Sequence, residues 1–134
     1  EAWAARISAV RAGGVESIAD AVMERWFAPA FRATPALAPW RNMLARTDTE
    51  GYAAACAAIA AADLTATTAR LRLPALVIAG DQDGASPPDL VAQTAQLIPG
   101  AAFRIISGAG HLPCVESPAD WAALVAAFLK EHTR

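Results

Sequence analysis

Cysteine is scarce in this chain, and the two present, Cys56 and Cys114, do not make a disulfide framework. Cys56 falls in an alanine-rich helical pattern and Cys114 lies close to His111, so reduced thiols are expected, as in a cytoplasmic protein. No cysteines and histidines stand at zinc-ligand spacing, and no metal site is expected. Charge is sparse as well. Asp, Glu, Lys and Arg make up 18% of the residues, the formal net charge is −2 and the pI is near 5.6. With no basic field, neither nucleic acid nor an anionic membrane is an expected partner. Long hydrophobic runs are also missing: the longest, Ala53 to Ala62, is about half of what a bilayer span needs. The opening EAWAARISAV has nothing of a signal peptide. It begins inside an amphipathic pattern without a cap, which reads as the continuation of earlier chain.

What is present is enough for one ordinary domain. The 134 residues are 55% hydrophobic, which supports a core and argues against disorder. Much of that share is alanine, which favours helix and offers little volume to bury. Residues 1–66 read as helical and residues 67–134 as a different grammar. Trp3, Ile7 and Val10 recur at helical spacing until Gly13-Gly14. Ile18, Val22, Met23 and Trp26 form the stripe of a second helix that ends before Pro29. Thr34 as N-cap and Pro35 at the first position predict a helix through Leu37, Trp40 and Leu44. Thr49 is the expected cap of an alanine-rich helix from Glu50 to about Ala62, followed by a short polar connection ending at Pro74.

After Pro74 the pattern changes to strand and helix. Ala75 to Ala79 is a continuous apolar run ended by Gly80, the signature of a parallel strand buried on both faces. Pro88 to Ile98 predicts a helix with Leu90, Val91, Ala95 and Leu97 available to cover a sheet. Ala102 to Ile106 predicts a second strand. Ser117-Pro118-Ala119-Asp120 is an aspartate version of the capping box, opening a helix with Trp121, Leu124, Val125 and Phe128 on one face. The fold class is therefore α/β, with two parallel strands and their helices behind an all-helical region.

Catalytic groups in open parallel sheets gather at the carboxyl ends of strands. Asp83 follows the first strand in GDQD, and His111 follows the second in GAGHLP. Adjacent parallel strands bring both loops to one sheet edge, where a carboxylate can orient a histidine acting as general base. Each residue also has a plain reading. Aspartates crowd turns, and a lone histidine after a strand is commonly structural. Asp81 competes for the acid role, Glu116 is expected to support the loop before the last helix, and His132 reads as a solvated tail residue.

The segments LPALVIAGDQDGASPP and IPGAAFRIISGAGHLPCVESPADWAALVAAFL resemble the C-terminal segment of the α/β-hydrolase superfamily. In that family a G-x-x-D turn supplies the acid and a G-H after the last strand supplies the base, which implies Asp83 and His111. The earlier stretches EAWAARISAVRAGGVESIADAVMERWFAPAFR and EGYAAACAAIAAADL resemble the helical lid of 3-oxoadipate enol-lactonases. These enzymes open an enol-lactone ring in bacterial protocatechuate and catechol breakdown. The resemblance implies a lactone or ester substrate, a Ser-His-Asp triad, no cofactor and no metal. It also makes Trp26 a candidate pocket wall, with filling of the lid core as the plain alternative. A substrate carboxylate calls for a cation, for which Arg25 and Arg41 are candidates.

The chain departs from the family pattern at the nucleophile. The family's serine sits on a G-x-S-x-G elbow, and none of Ser8, Ser17, Ser86, Ser107 and Ser117 has that frame. The expected partner is accordingly a missing N-terminal hydrolase half, in the same or a separate chain, or a second copy meeting an unpaired strand edge. Competing readings are a non-catalytic interaction module of hydrolase ancestry, or a hydrolase of another ester, a C–C bond or a haloalkane. A flavodoxin-like binder leaves the helical region unexplained.

Overall fold

A computed structural model describes residues 2–132. Residues 1, 133 and 134, at the outer ends of the two expected regions, lie outside the described residues. The chain divides into two compact units. One holds the residues up to Glu24 together with Phe31–Asp63, the other Arg25–Ala30 together with the residues from Leu64 onward.

The first unit is helical. Helix α1 (Ala2–Gly13) ends where Gly14 N bonds back to Val10 O at 2.7 Å. The expected second helix begins as a 3-10 turn (Val15–Ile18) before α2 (Ala19–Trp26), and a single turn α3 (Pro29–Arg32) follows. Helix α4 (Leu37–Ala45) starts later than the Thr34-Pro35 pattern predicts. The Thr34 hydroxyl donates backward to Phe31 O at 2.8 Å, closing the preceding turn instead of capping the next helix. In α5 (Thr49–Ala61) the cap is Asp48, not Thr49: its Oδ1 accepts from Gly51 N at 2.7 Å. The core of this unit is Val10, Val15, Ala19, Val22, Met23, Leu44, Ala53 and Cys56. α1 packs against α5, whose small buried residues let the two backbones approach. Both Cys56 and Cys114 are free.

The second unit carries the sheet. The connection contains a further single turn, α6 (Thr65–Thr68). Strand β1 (Leu76–Gly80) pairs in parallel with β2 (Ala102–Ile106), with Leu76 opposite Ala102 and Gly80 opposite Ile106. Pairing reaches one residue further back, since Ala102 N donates to Ala75 O at 2.9 Å. Helix α7 (Pro88–Leu97) connects the strands and packs on both. It covers them with Val91, Ala95 and the following Ile98, while Leu90 faces solvent, contrary to expectation. A single turn α8 (Pro113–Glu116) precedes α9 (Pro118–His132). The Trp121, Leu124, Val125 and Phe128 face of α9 is only half-buried. Among the described residues no helix is long and apolar enough to cross a membrane.

Candidate active site

The in-phase ends of β1 and β2 place two loops side by side. Main-chain bonds stitch them together: Asp81 N donates to Ile106 O at 3.1 Å and Gln82 N to Ala109 O at 2.9 Å. The approach leaves no room for a side chain at Gly80, where a Cβ would collide with the carbonyl oxygens of Ala109 and Gly110. Asp81 serves this stitching. Its Oδ1 accepts from Gly108 N at 2.7 Å and its Oδ2 from the Ser107 hydroxyl at 2.8 Å.

Asp83 takes the other direction. It is the buried acidic residue of the second unit, 7% exposed. Oδ1 accepts from Ala85 N at 2.7 Å and Ser86 N at 2.8 Å, while Oδ2 lies 2.8 Å from His111 Nδ1. A buried carboxylate needs such donors to offset lost hydration. With both amides fixed on Oδ1, the carboxylate is aimed at the imidazole by its own turn. The acceptor sets the tautomer: Nδ1 carries the proton and donates, leaving the Nε2 lone pair available. The His111 side chain is 34% exposed, so its ring is not sealed into the core.

Trp26 belongs to the same unit. Its carbonyl accepts from His111 N at 2.7 Å, and its ring lies 6.3 Å from the imidazole at an interplanar angle of 32°. Arg25 meets the acid loop. Its carbonyl accepts from Gly84 N at 3.1 Å, and its Nε donates to Gly84 O at 3.2 Å. Arg41 is committed within the helical unit, paired with Asp20 at 2.6 Å and Glu16 at 2.9 Å. Those hydrogen bonds raise its pKa above the ordinary arginine value and lower that of Asp20. His132 is exposed, but its Nδ1 bonds to Phe128 O at 2.8 Å and its ring meets that of Phe128. Among the described residues no group of three His, Cys, Asp or Glu side chains is placed to hold a metal ion.

Glu116 does more than support the loop before the last helix. Its Oε1 accepts from Gly110 N at 2.7 Å and its Oε2 from Ala28 N at 2.8 Å. A clamp that reaches 88 residues back to Ala28 leaves no spacing signal in the sequence.

A buried aspartate paired with a partly exposed histidine on consecutive parallel strand ends, with helices preceding the pair, defines a hydrolase-type α/β arrangement. A family model for the alpha/beta hydrolase fold matches residues 14–118, and the chain belongs to that family. It is 36% identical to 3-oxoadipate enol-lactonase 2 of Acinetobacter baylyi over 97% of this chain and 49% of that protein. The enol-lactonase structure from Burkholderia xenovorans LB400 superposes with a TM-score of 0.90 at 37% identity, over 96% of this chain and 50% of that one. A thermophilic esterase from Thermogutta terrifontis superposes at 0.85 with 33% identity, over 95% and 48%. The chain thus spans about half the length of the curated relatives it matches.

Proposed function

We propose that this chain supplies the acid and the base of a carboxylic ester or lactone hydrolase, and that the substrate is 3-oxoadipate enol-lactone. The observation that carries this reading is the 2.8 Å contact between His111 Nδ1 and the buried Asp83 Oδ2. The lactone is favoured by the similarity to the Acinetobacter and Burkholderia enol-lactonases. A simple carboxylic ester is the second reading, supported by the 33% identity to the Thermogutta esterase.

In the proposed mechanism a serine outside residues 1–134 attacks the lactone carbonyl, and its proton passes to His111 Nε2. Asp83 holds the tautomer and stabilises the imidazolium. The carbonyl–ring oxygen bond breaks, His111 returns the proton to the leaving enol oxygen, and an acyl-enzyme remains. Water then gives its proton to His111 as it attacks the acyl carbon, and the serine leaves reprotonated. Trp26 lines the pocket, and Arg25, at the acid loop, is the better placed of the two candidate cations for a substrate carboxylate. Residues 1–66 form the lid and 67–134 the C-terminal part of the core. No cofactor or metal takes part.

The test is turnover of the enol-lactone by the complete protein that carries this sequence, beside turnover of p-nitrophenyl acetate. Lactone hydrolysis that disappears on replacing His111 by Ala supports the proposal. Ester hydrolysis alone moves the assignment to the second reading, and activity untouched by the His111 replacement removes it.

A further inference from the structure

We infer that Glu116 is a positioning residue that locks the general base to the pocket wall. The inference rests on the reading of His111 as the base. The segments 26–28 and 109–111 are joined by three hydrogen bonds: His111 N to Trp26 O, Gly110 N to Glu116 Oε1, and Ala28 N to Glu116 Oε2. Neither Ala28 nor Gly110 lies in a helix or strand, and both are buried. Their amides therefore have no ladder to satisfy them, and a buried N–H without an acceptor is costly.

The chemistry requires a carboxylate. Each oxygen of Glu116 takes one amide, and the glutamate sits at the end of the single turn α8 that follows His111. A glutamine offers one carbonyl oxygen and turns its NH₂ donors on the second N–H. The fit around Gly110 is close: a Cβ there would meet Trp26 O at 2.5 Å, Glu116 Oε1 at 2.9 Å and Ala28 N at 3.0 Å. No water-sized gap separates the segments at this point, so the clamp fixes geometry as well as satisfying donors. Trp26 carries the ring 6.3 Å from the imidazole, and the residue before His111 carries the amide that Glu116 holds. Releasing the clamp lets the base move relative to the substrate while Asp83 remains in place. The loss then falls on kcat more than on KM.

The experiment compares the complete protein with its Glu116→Gln variant, reading kcat, KM, the melting temperature and the His111 Nδ1 proton resonance. The variant is expected to melt within a few degrees of the parent. Its kcat should fall about 10- to 100-fold, the scale of a small misplacement of a catalytic group, with KM changed much less. The imidazole Nδ1 proton should broaden or move. A kcat within about twofold of the parent, or a loss of rate that merely tracks unfolding with an unmoved resonance, overturns the inference. Should the variant not fold, amide exchange in the parent decides. Core-like protection of Gly110 and Ala28 supports the clamp, and free-peptide exchange rates overturn it. Absence of any ester or lactone hydrolysis by the parent marks the failure of the hydrolase reading itself, and the inference falls with it. Ester hydrolysis without lactone hydrolysis removes only the substrate assignment and leaves the Glu116 comparison to be read on the ester.

Discussion

Replacing Asp83 by Asn keeps an oxygen for the amides of Ala85 and Ser86 but turns an NH₂ toward His111 Nδ1. The imidazole must then accept at Nδ1 and carry its proton on Nε2, where it cannot act as a base. The complete protein should lose about 10³- to 10⁴-fold in kcat with its melting transition nearly intact, as stopped-flow or steady-state turnover would show. Asp81→Asn is the control. Its side chain holds Ser107 and Gly108, so its effect should be a few-fold at most and mainly on stability. Trp26→Phe separates side chain from backbone, because the carbonyl that receives His111 N is retained. If the indole lines the pocket, KM should rise by about 3- to 10-fold while kcat holds; an unchanged KM would return Trp26 to a packing role. The pairing of Asp83 with His111 was legible because each follows a strand-ending glycine or turn at a recognisable offset. The Glu116 clamp was not, because its partners Gly110 and Ala28 lie 6 and 88 residues away in sequence.

Helix type follows from apolar periodicity in elements such as α2 and α9, whereas α5 follows from its alanine content and β1 from a continuous apolar run. The single turns α3, α6 and α8 escape because four residues complete no apolar stripe. Caps were harder to place. Asp48 and Thr49 are adjacent and both are good cap residues, so only the 2.7 Å bond from Gly51 N to Asp48 Oδ1 separates them. Asp48→Ala should therefore cost about 1 kcal/mol in chemical denaturation, and Thr49→Ala a few tenths. A charge effect belongs to the same helices. Asp20 is held below the ordinary carboxylate range by its hydrogen bond to Arg41 and by that cation's charge. A lowered folded pKa contributes stability above the unfolded carboxylate pKa, lost as pH falls through the folded one. Asp20→Asn should flatten the acid limb of the stability profile slightly. The pair is exposed, so the effect should shrink in high salt.

Two parallel strands are a poor folding unit, since parallel sheets are normally wide and covered on both faces. Among the described residues the sheet has two strands, and Ile105 is 51% exposed on β2. Leu71, Leu73 and Leu129 are exposed beyond the sheet, and the α9 face is incompletely covered. The relatives it matches are about twice as long as this chain. Apolar edges of this kind pair with whatever meets them. Residues 1–134 prepared alone should self-associate in sedimentation experiments at micromolar concentration and bind a hydrophobic dye. They should show no lactone turnover. Preparation together with an N-terminal half bearing a G-x-S-x-G elbow should abolish both the association and the dye binding and restore hydrolysis. A strictly monomeric, dye-negative chain with a sharp cooperative melt would mean that the two strands and their helices satisfy themselves. The free edge of β1 would then need an explanation other than a missing partner.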